Sequence, residues 1–397
     1  MRWASAVSDR TDFDAAFADL ISQVRGERGD APPDLAFVFV SAAFAADAPR
    51  LPALLRDALH CRILLGCTAE GVIGGSREVE YQPALALTVA ELPGVTLRPF
   101  ALDAESLPDE DASPQAWHEA LGVAPDGAPH FILLVDPFSM PIDALLAGID
   151  YAYPRSITLG GLASAARGPG GNVLLHTTGV RHAGAIGLAL EGDLRIDTVV
   201  AQGCRPIGRP MRITRCHSNV LMELEGKSPL ERVHELAGDL EERDQRLLGQ
   251  GLFVGIAAGQ VLEAAPPEFL IRNLIGVDAE RGYFAVGDRL RDGQTVQFHV
   301  RDARTSAEDL AALLQGCAVA GGEAATQAAL IFACLGRGVH LYGAPNHDTD
   351  LMRRHLGPVP IGGFFCAGEI GPVAGATRLH GFTSSIGIFR PGSGTAR

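Results

Sequence analysis

Two thiols, one carboxylate and one guanidinium sit where apolar, strand-like runs break into glycine turns. Cys334 closes a run from Ala329 to Leu335, just ahead of Gly336-Arg337-Gly338. Cys366 and Glu369 lie inside Ile361-Gly362-Gly363-Phe364-Phe365-Cys366-Ala367-Gly368-Glu369-Ile370-Gly371. A carboxylate among glycines and apolar residues either costs folding energy or binds something, so Glu369 is a candidate to hold an ammonium or an amide N–H. Its structural alternative is a bond to N–H groups of its own bend, or to Arg337 or Arg378. Arg337 can lower the pKa of a neighbouring thiol, which makes Cys334 and Cys366 candidate nucleophiles with His380 or His340 as base. Buried and unreactive is nonetheless the commoner fate of a cysteine in such a context.

Weaker echoes of this stretch occur at Ile63-Leu64-Leu65-Gly66-Cys67-Thr68-Ala69-Glu70-Gly71 and at Ile157-Thr158-Leu159-Gly160-Gly161-Leu162-Ala163-Ser164. Small hydroxyls and thiols after a glycine bend can line a pocket whose backbone N–H groups hold an anion. Ordinary turn chemistry accounts for the same residues. The candidate binding set is therefore Cys67, Thr68, Gly161, Ser164, Cys334, Arg337, Cys366 and Glu369. Other motifs fail. Gly226-Lys227-Ser228 ends like a phosphate loop, but Leu221 stands where its first glycine belongs. Gly249-Gln250-Gly251 meets Val254 in place of the third glycine of a dinucleotide fingerprint, and there is no GxSxG. The histidines show no metal-ligand spacing, so neither metal nor cofactor is expected.

Bulk composition narrows the setting. The 397 residues exceed what one core usually serves, so two domains are expected, with boundaries at 1–205 and 206–390 and a flexible tail over 391–397. Hydrophobic residues make up 47% of the chain, enough for a sizeable core. Net charge is -14 and Lys227 is the single lysine, which argues against nucleic acid and against anionic membrane surfaces. Seven scattered cysteines without a CxxC pair fit a reduced compartment. No apolar run approaches the ~20 residues of a membrane span, and no signal segment opens the sequence, so a cytoplasmic protein is expected.

The elements that must position these residues recur in rounds. Phe13, Phe17, Leu20, Ile21 and Val24 mark one face of a helix capped by Asp9 or Thr11, followed by a strand from Leu35 to Val40 and a helix through Leu51, Leu55 and Leu59. Strands from Ala84 to Val89 and Val95 to Phe100 follow the first bend. A second round runs from Ser113-Pro114 through strand 130–135, a helix at 142–149 and the second bend. The third has a charged helix from Ser228-Pro229 to about Leu247, four consecutive strands between 252 and 300, a helix capped by Ser306, strand 329–335, a helix from Asp348 and a last strand from Phe382 to Phe389. Strand–helix–strand order implies parallel neighbours, and the trailing pairs imply hairpins. The expected fold class is α/β of mixed α+β character: repeated strand-helix-strand-hairpin units in mixed sheets covered by helices, layered in an αββα-like way.

These motifs resemble the FIST family, a pair of FIST N-terminal and FIST C-terminal domains regarded as a small-ligand sensory module. The likeness is carried by Gly66-Cys67-Thr68-Ala69-Glu70-Gly71-Val72-Ile73, by Pro206-Ile207-Gly208, by Leu335-Gly336-Arg337-Gly338, and most specifically by Gly362 through Gly371. The resemblance implies a signal-transduction protein that binds a small molecule, an amino acid or similar polar metabolite, with Glu369 at its cationic end and Arg337 or a backbone nest at its anionic end. FIST modules are often fused to an output domain, and here the sequence is spent on the pair itself, so a separate signalling protein is the expected partner. Two alternatives stand beside this reading: a Cys-dependent acyl-transfer or hydrolase enzyme using Cys334 or Cys366, and a scaffold with an apolar partner surface.

Overall fold

A computed structural model describes residues 1–109, 111–258, 268–322 and 325–392. The chain forms two compact units: Met1–Ala201 with Leu310–Leu379 and Thr383–Arg397, and Gln202–Asp309 with His380–Phe382. The tail expected to fray lies, from residue 393 on, outside the described residues.

The larger unit contains one supersecondary pattern three times. In the first repeat an edge strand Arg2–Ser8 leads through helix Phe13–Arg28 to strand Leu35–Ser41, helix Leu51–Leu59 and strand Ile63–Ala69. A hairpin, Gly71–Gly74 and Arg77–Glu80, then precedes strand Leu85–Glu91. The second repeat matches it with strands Val95–Leu102, His130–Val135 and Thr158–Leu162, hairpin Leu174–His176 and Gly179–Arg181, and strand Ala185–Gly192. The third has strands Leu194–Gln202, Ala328–Cys334 and Ile361–Cys366, hairpin Glu369–Val373 and Ala376–His380, and strand Thr383–Pro391. Residues 202–309 are inserted after the edge strand of this third repeat.

Each repeat keeps four strands in its own sheet and gives its hairpin to another. Hairpin 71–80 joins the third sheet beside Ile361–Cys366, hairpin 174–181 joins the first beside Ile63–Ala69, and hairpin 369–380 joins the second beside Thr158–Leu162. The result is three six-stranded mixed sheets, closed in a cycle of exchanged hairpins. Within each, the two strands linked by a helix are parallel, as their crossover demands.

Strand alternation then sorts the side chains. Phe37, Phe39, Ile132, Leu134, Leu330, Phe332 and Phe364 point into one core shared by the three sheets, with Phe39 stacked on Phe364 at 4.8 Å. The opposite faces bury residues of the helices: Leu20 and Leu55 on the first sheet, Trp117 and Leu146 on the second, Leu314 and Met352 on the third. The mixed, helix-covered sheets read from the sequence are thus present.

The smaller unit is a closed six-stranded barrel, Cys204–His217, Val220–Leu224, Phe253–Ala257, Phe269–Asp278, Tyr283–Val286 and Thr295–Arg301, filled by Leu221, Phe284 and Phe298. Asp302 at its rim binds Arg205 and Arg243.

Local departures from the sequence reading have local causes. Asp12 caps the first helix, its carboxylate accepting from Ala15 N–H at 2.8 Å. The helix expected to start at Ser306 begins at Ala303, because Asp302 accepts from the N–H groups of Arg304 and Thr305. The charged helix is two, Pro229–Asp239 and Glu242–Gln250, parted where Leu240 and Glu241 are extended.

A glycine recurs at one register position in all three repeats. A Cβ on Gly66, Gly160 or Gly363 would lie 2.0, 1.9 or 1.8 Å from the carbonyl oxygen of Val38, Leu133 or Ile331. Gly160 and Gly363 also have φ of 154° and 151°. Gly363→Ala is accordingly expected to lower the free energy of unfolding by well over ~1 kcal/mol. Urea denaturation checks this, and unchanged stability would show that the strand accepts a side chain there.

Candidate functional site

The three glycine bends are the places where the chain passes from one sheet to the next, and they meet. Ser164 joins them: its Oγ donates to the carbonyl of Phe365 at 2.5 Å and accepts the N–H of Glu70 at 3.0 Å. The Ser164 N–H reaches Thr68 O at 3.3 Å, while Leu162 and Ala367–Gly368 exchange two backbone bonds of 2.9 and 3.1 Å. Thr68 Oγ1 accepts from Val173 N–H at 2.9 Å. Gly161 leaves space for Cys366, whose Sγ would stand 2.3 Å from a Cβ there. So Thr68, Gly161 and Ser164 knit the junction together, and Cys67 and Cys366 are fully buried in the shared core. Burial pushes both thiols well above the ordinary cysteine range.

Polar chemistry concentrates at one end of that core, on the third repeat. Arg337 is completely buried and pairs with buried Asp348 in a two-pronged bridge, Nε to Oδ2 at 2.7 Å and Nη2 to Oδ1 at 3.0 Å. Nη2 also donates to the Tyr342 hydroxyl at 2.7 Å. Ser384 Oγ donates to Asp348 Oδ2 at 2.7 Å, and His347 Nδ1 lies 3.1 Å from Oδ1. Burial opposes the charged form of Asp348, but the charge of Arg337 and these hydrogen bonds outweigh it and hold its carboxyl well below the usual range.

Glu369 is fully buried beside this pair. Its Oε2 accepts from Thr383 N–H at 3.2 Å and Thr383 Oγ1 at 2.9 Å, while Oε1 has no hydrogen-bond partner of ordinary geometry. Burial pushes its pKa up to about 8, against the Thr383 bonds, the charge of Arg337 and the thiol of Cys334. On the far side Glu78 accepts the N–H of Thr349 at 2.8 Å and leaves Oε2 unpartnered. Burial, and then the charge of Asp348, raise it likewise to about 8. Both are neutral acids over most of the neutral range.

A small cleft of about 50 Å³ opens here, lined by Glu70, Gly71, Glu80, Tyr81, Leu335 and Phe365. Glu80 Oε1 accepts the N–H of Val339 at 2.9 Å. Gly338 has φ of 59°, and a Cβ there would fall 2.3 Å from Glu80 Oε1, so glycine is needed twice over. Of the candidate bases, His340 is exposed, and His380 belongs to the smaller unit. Among the described residues no group of three or more His, Cys, Asp and Glu is placed to hold a metal ion, and no helix is long and apolar enough to cross a membrane.

Internal register isolates the site. Cys334 occupies the position of Ser41 and Asp136, Glu369 that of Val72 and Leu174, and Thr383 and Ser384 those of Ala84-Leu85 and Gly184-Ala185. The positions of Glu369, Thr383 and Ser384 are apolar or glycine in the other two repeats, so the carboxylate at 369 is not demanded by the architecture, whereas the position of Cys334 is polar or a thiol in all three. Asp348, Thr383, Ser384, Glu78 and Glu80 were missed by sequence reasoning. The run Thr383-Ser384-Ser385 entering an apolar strand was the available signal.

The chain is similar to known proteins over almost its whole length. The FIST N domain matches residues 34–227 and the FIST C domain residues 229–372. Uncharacterized protein MT0656 of Mycobacterium tuberculosis is 34% identical over 400 residues, spanning 98% of this chain and all of that one. Uncharacterized protein Mb0898c of Mycobacterium bovis is 33% identical over 392 residues, covering 98% and 99%. A solved structure of cyanuric acid hydrolase aligns over 98% of this chain and 100% of its own at 10% identity, with a TM-score of 0.33, too slight a likeness to argue from.

Two outcomes are expected. Because Glu369 and Glu78 bind more protons folded than unfolded between their ordinary value of 4.5 and about 8, their share of stability is complete below 4.5 and is lost as pH rises through about 8. Unfolding free energies from about pH 5 to about pH 9 should fall, and Glu369→Gln should flatten the decline; an unchanged slope would mean the carboxyl is ionised at neutral pH. Arg337→Ala should cost about 3–5 kcal/mol by stranding Asp348, and Arg337→Met with Asp348→Leu should recover most of it. A double variant no better than the single would refute an isolated pair.

Proposed function

The chain belongs to the FIST family, and from that premise we propose that it is a sensory protein that binds a small polar metabolite. The carrying observation is the buried polar cluster around Arg337, Asp348 and Glu369, in which Glu369, Thr383 and Ser384 stand at positions that the other two repeats fill with apolar residues or glycine. Buried charge and unpartnered carboxyl oxygen are costly to maintain, and binding sites are where proteins maintain them.

The ligand class is an amino acid or a similar metabolite with a cationic end. Glu70 and Glu80 at the cleft receive that end, and its volume of about 50 Å³ suits a head group, the remainder of the ligand lying outward over Tyr81 and Leu335. Glu369 and Arg337 lie behind this wall, fully buried, and set its field. Cys67, Thr68, Gly161, Ser164, Cys334 and Cys366 frame the site, with Ser164 fixing Glu70 through its N–H. Occupancy would tighten the junction of the three sheets, and a separate protein would read that change.

Thermal unfolding in the presence of single amino acids and amines tests this. A ligand at ~100 times its Kd should stabilise by about 2.7 kcal/mol, and Glu80→Gln should abolish the shift. A panel of amino acids, amines and neutral polar metabolites without any shift would overturn the reading.

A further inference from the structure

The half-buried thiol of Cys334 lies among groups that its own repeat supplies. Its Sγ accepts the N–H of Gly336 at 3.4 Å, a bond that favours negative charge on sulfur. Strand alternation directs it to the same interior face as Phe332, and Glu369 faces that interior from the neighbouring sheet, as Val72 and Leu174 do at the equivalent positions. Arg337, three residues on, brings a buried guanidinium whose charge bears on the same sulfur. Glu369 Oε1 has no other hydrogen-bond partner and is fully buried. Leu335, next in the chain, lines the cleft, so small solutes come close to this end of the strand. A thiol, a proton-holding carboxyl and two positive dipoles or charges therefore share one corner.

We propose that Cys334 is a peroxide-reactive cysteine, with Glu369 as the acid that gives its proton to the leaving oxygen. In the reactive form the thiol has lost its proton to solvent, leaving sulfur as thiolate beside Glu369 as carboxylic acid. The sulfur electron pair attacks the terminal oxygen of a hydroperoxide; an S–O bond forms and the O–O bond breaks. The departing alkoxide or hydroxide takes the Glu369 proton and leaves as alcohol or water. Sulfur is oxidised to the sulfenic acid, the hydroperoxide is reduced, and Glu369 is left as a carboxylate that regains a proton from solvent. This step needs no bound metabolite, so it stands apart from the ligand-binding reading.

The other half-buried thiols, Cys61, Cys216 and Cys317, are internal controls: burial raises all three, and the carboxylates near Cys216 and Cys317, Asp292 and Asp197, raise those two further. Intact protein is treated with hydrogen peroxide and dimedone, and labelling at each cysteine is followed by peptide mass spectrometry. Cys334 is expected to label at least about tenfold faster than each control, and Glu369→Gln to bring it into their range. Labelling of Cys334 no faster than the controls overturns the proposal. So does a folded Glu369→Gln protein with an unchanged Cys334 rate, and should that variant fail to fold, the ratio within the wild-type sample decides.

Discussion

The fold depends on each repeat surrendering its hairpin to a neighbouring sheet. A hairpin alone is marginal in water, and a four-stranded sheet with one bare edge invites pairing with another chain. Exchange gives each hairpin a sheet to join and covers one of the two edges that each four-stranded sheet would expose. The crossing demands a bend that turns sharply while its backbone stays fully bonded. Glycines at 66, 160 and 363 allow the neighbouring carbonyl to approach, and Ser164 ties the three crossings with two hydrogen bonds. Buried polar atoms are well used here: each joins segments almost one hundred or more residues apart in sequence, so the clasp fixes topology as well as stability.

Much of this was legible from residue type and spacing. The three rounds, their strands and helices, and the kinship of the glycine bends all followed from hydrophobic period and from Gly-rich breaks. Exchange of hairpins was not legible, because a strand pair carries no mark of which sheet will accept it. The first repeat's hairpin was not legible for a similar reason: Gly71–Gly74 and Arg77–Glu80 are four residues each, and two of the first four are glycine. The first strand, Arg2–Ser8, is likewise masked by its alanines and serines, whose packing against the Leu85–Glu91 strand is a tertiary fact.

The site was legible in its members and not in its connections. Cys334, Arg337 and Glu369 stood out as polar groups beside glycine turns, and they do gather at one end of the core. Arg337 finds Asp348, which sequence inspection took for a helix start; the helix begins at His347, and the carboxylate turns inward instead of capping it. Glu369 finds Thr383 rather than its own bend or an arginine. Arg337 and Asp348 come from a turn and a helix, and Glu369 and Thr383 from strands of different sheets, so partner choice across 11 or 14 residues emerges only when the elements pack.

Electrostatics explain why the Arg337–Asp348 pair with two protonated glutamic acids, Glu369 of its own repeat and Glu78 of the first, occurs once. One buried Arg–Asp pair is nearly self-compensating, since each ion desolvates against a full counter-charge. Adding Glu78 and Glu369 as anions would leave two uncompensated charges in the interior, and the molecule answers by keeping both protonated up to about pH 8. Three copies of the arrangement would multiply that burden around one core. Val72 and Leu174 at the equivalents of Glu369 therefore do as much for the site as the site does itself: they supply the dry, close-packed surroundings in which a single carboxyl can hold its proton at neutral pH. The threefold scaffold repeats the frame, and breaking its chemical symmetry at Glu369 places one protonated carboxyl in that core.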